Sequence, residues 1–284
     1  MALRVVGKIV VSAHLCRCGI RLGNYIIGTL SVTDAKDLKA MHRFFISGEN
    51  LCGGQVVLSG RQAHQIRNVL RMAPGDQIIV LDNTGYEYVA AITDVARQRA
   101  VGRIMDKQPA QGEPRTQITL YQALLAREKF EWVLQKCTEV GVTRFVPVVT
   151  QRTIVRRADT ITPHRLARWK GIVTEAAEQS GRGRIPQLEC PVKLADALAG
   201  LRAFDRCLIA SPQAVSRTLR ELLQAGGSGP AAIALLIGPE GGFSDEEITA
   251  ACEKGAVAMS LGKRILRTET AAVVASALIL YEME

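Results

Sequence analysis

The hydrophobic positions follow a strand-like period in the first part of the chain. From Met41 onward, short β-type runs include "MHRFFI", "QVVLSG" and a strand–turn–strand pattern over residues 73–95. Between them, residues 61–72 ("RQAHQIRNVLRM") carry apolar side chains at helical spacing. This pattern predicts a small β-rich domain that contains one helix.

Further along the chain, strand and helix patterns alternate. The predicted strands are 117–125, 144–150, 204–210, 231–242 and 256–262, and the predicted helices are 127–141, 162–181, 214–227, 244–255 and 271–284. Three helix ends have capping signals: Thr162 before Pro163, Ser244 with Glu247 as a capping box, and Gly255. Alternating strands and helices predict an α/β domain with a parallel sheet that is covered on both faces.

Two changes in composition divide the chain. Residues 105–117 hold two prolines, a glycine and several charges, which is typical of a linker, so we expect a domain boundary near residue 112. The stretch up to Val32 contains basic residues and no acidic residue. We interpret residues 1–40 as an extension of unknown role ahead of a start near Met41; the alternative is a targeting peptide.

Composition restricts the possible functions. The net charge is +9 and the pI about 9.4, which is compatible with a polyanionic partner such as nucleic acid. The seven cysteines and four histidines lack the spacings of a zinc site or a disulfide framework. No apolar run approaches the roughly 20 residues of a membrane helix. We therefore expect a cytoplasmic protein without a bound metal.

The candidate chemistry lies where strands end, because open parallel sheets bind ligands outside the carboxyl ends of their strands. Three segments follow predicted strands in this way: 237–242 ("IGPEGG"), 261–270 ("LGKRILRTET") and 150–156 ("TQRTIVR"). Glu240 stands where a phosphate-binding loop would supply a lysine, so the turn favours a ligand without phosphate, such as S-adenosylmethionine. The alternative is a plain strand-to-helix turn, in which glycine and proline only shape the corner.

The motifs in their order resemble one enzyme family. "LLIGPEGGFSDEEI" and "LGKRILRTETAAVVA", together with "EKFEWVLQKCTEVGVTRFVPVVTQRTIVR", "EAAEQSGR", "MHRFF" and "AHQIRNVLRMAPGD", are similar to the 16S ribosomal RNA (uracil(1498)-N3)-methyltransferase family of the SPOUT superfamily. The resemblance covers residues 41–284. It implies a PUA-like RNA-binding domain over 41–112 and a SPOUT methyltransferase domain over 113–284, with a C-terminal trefoil knot.

The resemblance also implies a cofactor and the residues that hold it. S-adenosylmethionine is expected in the knot, bound largely by backbone groups. The residues carried over form two segments, which we call the cradle: Leu236, Ile237, Gly238, Pro239, Glu240 and Gly241, then Ser260, Leu261, Gly262, Arg264, Ile265, Leu266, Arg267, Thr268, Glu269 and Thr270.

The implied reaction methylates N3 of a uridine in 16S rRNA of the small ribosomal subunit. Its candidate catalytic residues are Arg152 and Arg267, which would hold a uracil anion or a phosphate, and Glu240 or Glu269, which would position groups or accept a proton. The predicted RNA contacts are His42, Arg43, Arg61, Arg67, Arg71, Arg182 and Arg184.

The family assembles as homodimers, so the apolar final helix is a candidate interface, with ordinary core packing as the alternative. Two other functions remain open: a SPOUT enzyme for a different base or ribose, and a non-catalytic RNA-binding or ribosome-assembly protein.

Overall fold

The structure is a computed structural model that describes residues 41–153, 161–212, 219–224 and 231–283. Three predictions lie wholly or partly outside the described residues. They concern the extension over residues 1–40, the end of the segment 150–156 and most of the helix over 214–227.

The N-terminal part is a six-stranded sheet. Its strands, in chain order, are β1 Arg43–Phe45, β2 Leu51–Cys52, β3 Gln55–Ser59, β4 Gln77–Leu81, β5 Tyr86–Val95 and β6 Arg99–Pro109. They lie in the order β1-β4-β5-β6-β3-β2, with β1 parallel to β4 and the other pairs antiparallel. The helix α1 Gly60–His64 continues as a π-helical turn over Gln65–Val69. The predicted β-rich domain is confirmed.

The linker prediction was wrong over part of its length. Residues 105–109 were assigned to a linker, yet they form the second half of β6 and pair with β5. Met105, Asp106 and Lys107 are exposed, so this half of the strand lacks the apolar alternation that identifies a half-buried strand. The connection between the sheets is residues 110–116, and a domain boundary near residue 112 stays a proposal.

The C-terminal part is a parallel sheet. Its strands are β7 Gln117–Ala123, β8 Arg144–Val149, β9 Gln187–Leu188, β10 Val192–Lys193, β11 Arg206–Ala210, β12 Ala232–Ile237 and β13 Val257–Met259. They lie in the order β10-β8-β7-β12-β11-β13, and β9 pairs with β8 beside β10. The short strands β9 and β10 were not predicted, because two residues are too few to show a period. The trefoil knot remains a prediction.

Helices cover this sheet at the predicted places. They are α2 Arg127–Val140, α3 Pro163–Ser180, α4 Leu194–Leu198, α5 Leu219–Gln224, α6 Asp245–Glu253 and α7 Thr268–Met283, of which only α4 was not predicted. The Thr162 side chain caps α3, and Ser244 and Glu247 form the predicted capping box of α6. The last helix begins at Thr268, so "TET" forms its first turn rather than preceding it.

The central strands are apolar because helices pack on both faces. One face buries Phe130, Trp169 and Ile279 from α2, α3 and α7, and the other face buries Leu198 and Phe243. The fully buried runs of β7 and β12 are what a parallel sheet between two helical layers requires. Among the described residues, no helix is long and apolar enough to cross a membrane.

Glu178 predicts a pH effect on stability. Burial raises the pKa of this carboxyl group, although the backbone N–H of Phe45 donates to it at 2.9 Å and Arg61 lies nearby. When the pKa of a carboxyl group is higher in the folded than in the unfolded protein, the protein loses stability as the pH rises from the unfolded pKa to the folded pKa. We expect Glu178→Gln to have a higher melting temperature than the wild type at pH 7, with the difference vanishing below the unfolded pKa. A pH-independent difference in calorimetry would contradict this linkage.

Candidate active site

Three loops meet at the carboxyl end of the C-terminal sheet. They follow β8, β12 and β13, as the strand-end rule predicts. The Arg152 guanidinium, after β8, donates through Nη1 to the carbonyls of Gly241 at 2.9 Å and Phe243 at 3.2 Å. The Gln151 N–H donates to the buried Glu247 carboxylate at 2.7 Å. The loop after β8 is therefore attached to the turn after β12.

A hydrogen-bond chain joins the two cradle segments. The Thr268 hydroxyl, at the start of α7, donates to the Gly238 carbonyl at 2.5 Å. The Gln122 amide, near the end of β7, donates to the Thr268 hydroxyl at 3.3 Å and to the carbonyl of Ala123 at 3.1 Å. Both Gln122 and Thr268 are buried. The first residue of the GPEGG turn is thus fixed to the final helix, close to the central strand.

Gly238 occupies a tightly packed position in the turn. A Cβ there would lie 3.1 Å from the backbone nitrogen of Phe243 and 3.2 Å from the carbonyl carbon of Gly242. The turn also closes through the Gly242 N–H, which donates to the Pro239 carbonyl at 2.9 Å. In the second segment, Gly262 has φ +108°, a conformation that side-chain-bearing residues rarely adopt. Glycine at both positions therefore has a structural cause.

Charged groups gather beside the cradle. Lys129, on the first turn of α2, lies 2.9 Å from the Glu240 carboxylate. The hydrogen bond to Glu240 and then its charge raise the pKa of Lys129; Glu269 raises it further and Arg267 opposes the rise. Burial acts to raise the pKa of Glu240, but hydrogen bonds from Lys129 and from its own backbone outweigh it, so this pKa is lowered. Lys129 was missed, because its helix was assigned from its apolar face only.

The two candidate carboxylates differ in their partners. Glu240 is bonded to Lys129 and has a lowered pKa, which makes its carboxylate a weak base. Glu269 is half-buried in the first turn of α7, where the helix dipole favours an anion. Among the described residues, its buried Oε2 has no hydrogen-bond partner. Such an oxygen can accept a proton or an N–H group from a ligand.

The other cradle residues lie where the two segments place them. Leu236 and Ile237 are the buried last residues of β12, and Pro239 is buried in the turn. The rest are half-buried or exposed: Gly241, Ser260, Leu261, Arg264, Ile265, Leu266, Arg267 and Thr270. Ile265 is 87% exposed.

The predicted RNA contacts do not all face solvent. His42, Arg67 and Arg71 are exposed. Arg61 is paired with Glu175, and Arg43 lies 3.9 Å from Glu87. Arg184 is exposed as well, and its guanidinium donates to the carbonyl of Thr84 at 2.9 Å.

Arg182 requires a correction. Its side chain is only 2% exposed, and its guanidinium binds Glu113 and the carbonyls of Thr138 and Val142. No donor of this group is directed at a phosphate outside, so we remove Arg182 from the RNA contacts.

Two domain families match the chain. A family described as RNA methyltransferase PUA domain matches residues 58–105, and one described as RNA methyltransferase domain matches residues 112–280. The ribosomal RNA small subunit methyltransferase E of Synechocystis sp. is 36% identical over 241 residues, which are 84% of this chain and 77% of that protein. The chain belongs to the ribosomal RNA small subunit methyltransferase E family.

Solved structures agree with the methyltransferase E assignment. The methyltransferase E of Neisseria gonorrhoeae bound to S-adenosylmethionine superimposes with a TM-score of 0.76 at 34% identity, over 85% of this chain and 97% of that one. A putative methyltransferase of Legionella pneumophila with the same cofactor gives a TM-score of 0.77 at 34% identity and the same coverage. The predicted family is confirmed, and so is the α/β fold class with its parallel sheet and preceding β-rich domain; the trefoil knot stays a prediction.

The methyltransferase E chain described here has groups that fit S-adenosylmethionine. In the GPEGG turn, Gly238 is buried, whereas Glu240 and Gly241 are exposed and accessible to a ligand. The unpartnered Glu269 oxygen suits a cationic or N–H-bearing ligand, and S-adenosylmethionine carries a sulfonium and an ammonium group. Among the described residues, no group of three or more His, Cys, Asp and Glu side chains is arranged to hold a metal ion.

Proposed function

We propose that this chain is an S-adenosylmethionine-dependent methyltransferase of 16S rRNA that methylates N3 of a uridine of the 1498 type. The observation that carries the proposal is the convergence of the two cradle segments, Arg152 and Glu269 at one sheet edge in a member of the methyltransferase E family. The relative of this name from Neisseria gonorrhoeae has been crystallised with S-adenosylmethionine. The same convergence favours an enzyme over a non-catalytic RNA-binding or assembly protein.

We propose that the cradle holds the cofactor through backbone groups and that S-adenosylmethionine, when bound, supplies an electrophilic methyl group. Methyl transfer breaks the methyl–sulfur bond, forms a methyl–nitrogen bond and releases the N3 proton and S-adenosylhomocysteine. Glu269 is the better proton acceptor of the two candidates, because Lys129 already binds Glu240. Glu240, held by Lys129, would instead position the turn.

Arg152 and Arg267 would stabilise the uracil anion or hold a neighbouring phosphate. Arg152 is exposed and uses Nη1 on the carbonyls of Gly241 and Phe243. Its side chain is thereby fixed beside the turn, which limits the reorganisation needed when RNA arrives. N3 lies on the pairing edge of uracil, so the target base must be unpaired or extruded.

The partners that fit are the small ribosomal subunit and a second copy of the chain. His42, Arg67 and Arg71 are exposed on the N-terminal part and would contact RNA, so binding should weaken with salt. On α7, Ile279 and Leu280 are buried, whereas Leu278 is 41% and Tyr281 81% exposed. The final helix therefore packs one face against the core, and its other face is a candidate homodimer interface. Action on rRNA would place the protein in the cytoplasm.

The test of the function is a map of methylated uridines in small-subunit RNA from cells with and without this protein. Mass spectrometry should find one N3-methyluridine that disappears when the gene is deleted. Purified protein should restore it on isolated subunits supplied with S-adenosylmethionine. An unchanged map would reject the proposed substrate, and a methyl group on another base or on ribose would favour the alternative SPOUT activity.

Arg152→Ala should abolish methyl transfer while leaving cofactor binding nearly intact. Loss of a donor that stabilises the developing anion costs about 100-fold or more in kcat. The turn keeps its Thr268–Gly238 and Gly242–Pro239 hydrogen bonds, so affinity for S-adenosylmethionine in calorimetry should change only slightly. Arg144→Ala is the matched control, since this exposed arginine lies at the opposite end of β8 and pairs with Glu189. Full activity of Arg152→Ala would remove Arg152 from the mechanism.

A further inference from the structure

Arg182 and Arg184 were predicted to contact RNA, and the turn over residues 181–185 that carries them joins the two sheets. We call it the junction turn. On the side of the N-terminal sheet, the Gly85 N–H donates to the Gly183 carbonyl at 3.2 Å, and Arg184 donates to the Thr84 carbonyl at 2.9 Å. The Ile185 N–H donates to the Asn83 side chain at 2.7 Å. The hairpin between β4 and β5 is thus bonded to the junction turn at three places.

On the other side, Arg182 anchors the junction turn in the C-terminal part. Its Nη1 donates to the Val142 carbonyl at 2.5 Å and to the Thr138 carbonyl at 3.3 Å, at the end of α2. Its Nε and Nη2 both lie 3.1 Å from the carboxylate of Glu113. Arg182 therefore links the junction turn to the helix that begins beside the cradle.

Glu113 belongs to the connection between the sheets and accepts four hydrogen bonds from the junction turn. Besides the two from Arg182, it receives the backbone N–H groups of Gly183 at 3.0 Å and Arg184 at 3.1 Å. Charge-assisted bonds of this kind are about twice as strong as neutral ones. The connection is consequently bound to the turn at Glu113.

The backbones approach so closely that glycine is required. A Cβ at Gly112 would lie 2.3 Å from the Gly181 carbonyl oxygen, and a Cβ at Gly183 would lie 2.5 Å from Cβ of Ala110 and 3.1 Å from Cα of Gly85. Real Cβ contacts of 2.3 or 2.5 Å are essentially never seen, so a side chain at either position must push the junction turn and the connection apart. Consistent with this packing, residues Met41–Glu284 form one compact unit.

We propose that the junction turn and Glu113 are positioning elements that fix the N-terminal sheet on the catalytic sheet and so set where bound rRNA presents its uridine to the cradle. The inference rests on the proposed function, because it concerns the same RNA substrate. His42, Arg67 and Arg71, which are proposed to contact RNA, lie in the N-terminal part, whereas the cradle follows strands of the C-terminal sheet. A displacement of about 1 Å between them is enough to cost on the order of 100-fold in rate.

The test compares Gly183→Ala with Gly171→Ala. In Gly183→Ala, the new methyl group must push Ala110 and Gly85 away. Gly171 lies on α3, and no heavy atom of the described residues comes within 4 Å of a Cβ added there. We expect Gly183→Ala to raise the KM for small subunits tenfold or more, with unchanged affinity for S-adenosylmethionine. Gly171→Ala should leave both values unchanged.

A second readout does not depend on activity. Deuterium exchange at the Gly85 and Ile185 amides should accelerate in Gly183→Ala, whereas the amides of β7 and β12 should keep their wild-type rates. Asn83→Gly is a milder variant: it removes the acceptor for Ile185 and tolerates the φ of +65° at this position. It should show the same exchange pattern and a smaller rise in KM.

Two results would overturn the inference. One is that Gly183→Ala has the same amide exchange rates and the same KM for small subunits as Gly171→Ala. The other is that Gly183→Ala loses affinity for S-adenosylmethionine by the same factor as its KM for small subunits rises, which would indicate general damage to the fold. If the wild-type protein methylates no 16S rRNA, the proposed function fails and the RNA part of the inference fails with it. The exchange rates then still decide whether the junction turn fixes the two sheets.

Discussion

Gly238→Val is expected to abolish binding of S-adenosylmethionine and, with it, methyl transfer. Any Cβ at this position would lie 3.1 Å from the backbone nitrogen of Phe243, and the branched valine would collide further with its ring, whose Cδ2 is 3.2 Å from the same point. Backbone atoms cannot rotate away as a flexible side chain does, so we expect the bulk of valine to open the GPEGG turn. We expect affinity to fall roughly 100-fold or more, about 2.7 kcal/mol.

The expected loss arises from two changes. Opening the turn moves the backbone groups that are proposed to face the cofactor. It also moves the Gly238 carbonyl away from the Thr268 hydroxyl, which breaks the bond between the two cradle segments. Calorimetric titration with S-adenosylmethionine measures the affinity, and circular dichroism verifies that the variant is folded.

Two further variants make the result specific. Gly262→Val is expected to weaken binding by a different route, because its φ of +108° would be strained for valine although the described residues leave space there. Gly200→Ala is the control, since its nearest atom, the Ala197 carbonyl oxygen, is 3.8 Å away and the site is far along the chain from the cradle. Wild-type affinity in a folded Gly238→Val protein would refute the cradle assignment.

The sequence was sufficient for features that depend on neighbouring residues or on strand ends. Ser244 and Glu247 are three positions apart and form their capping box as predicted, because both partners belong to one helical turn. The three candidate loops were located correctly from one rule on parallel sheets, and contacts from Arg152 and Thr268 join them.

The sequence was insufficient where the partner is distant or where burial decides the role. Lys129 and Glu240 are 111 positions apart, and no local period connects them. Arg182 was counted as a solvent-facing charge, because a single sequence reveals that a residue is basic but not that Glu113 and two carbonyls enclose it. For β6, exposed polar residues removed the alternation on which strand prediction relies.

Arg182→Met is expected to destabilise the protein far more than the loss of an ordinary surface ion pair. The variant leaves the Glu113 carboxylate, which is only 20% exposed, without its charged partner, and leaves the carbonyls of Thr138 and Val142 without a donor. Removing one partner of a buried ion pair costs about 3–5 kcal/mol. For a protein of this size, that corresponds to a fall in melting temperature on the order of 10 °C.

Arg168→Met is the matched control. Arg168 also binds a carboxylate with two nitrogens, at 2.7 and 2.8 Å from Glu131, but its side chain is 47% exposed. The Arg168 side is open to water, and Glu131, although its side chain is only 12% exposed, keeps Arg127 as a charged partner, so Arg168→Met should destabilise the protein much less than Arg182→Met. Both variants remove an arginine that binds a carboxylate with two nitrogens. They differ in the burial of the arginine and in the two carbonyls that Arg182 also binds, and urea denaturation compares their stabilities. Equal destabilisation would show that the geometry of the pair, and not its burial, decides the effect.

A double-mutant cycle separates the Arg182–Glu113 pair from the other contacts of Arg182. Glu113→Gln keeps a carbonyl oxygen for the backbone N–H groups of Gly183 and Arg184, but it loses the negative charge. If the pair is the main contribution, the double variant should be less destabilised than the sum of the single variants by about 1–3 kcal/mol. If the two effects are additive, Arg182 stabilises the protein mainly through the carbonyls at the end of α2. In that case, the junction turn is anchored by the catalytic part and not by the connection.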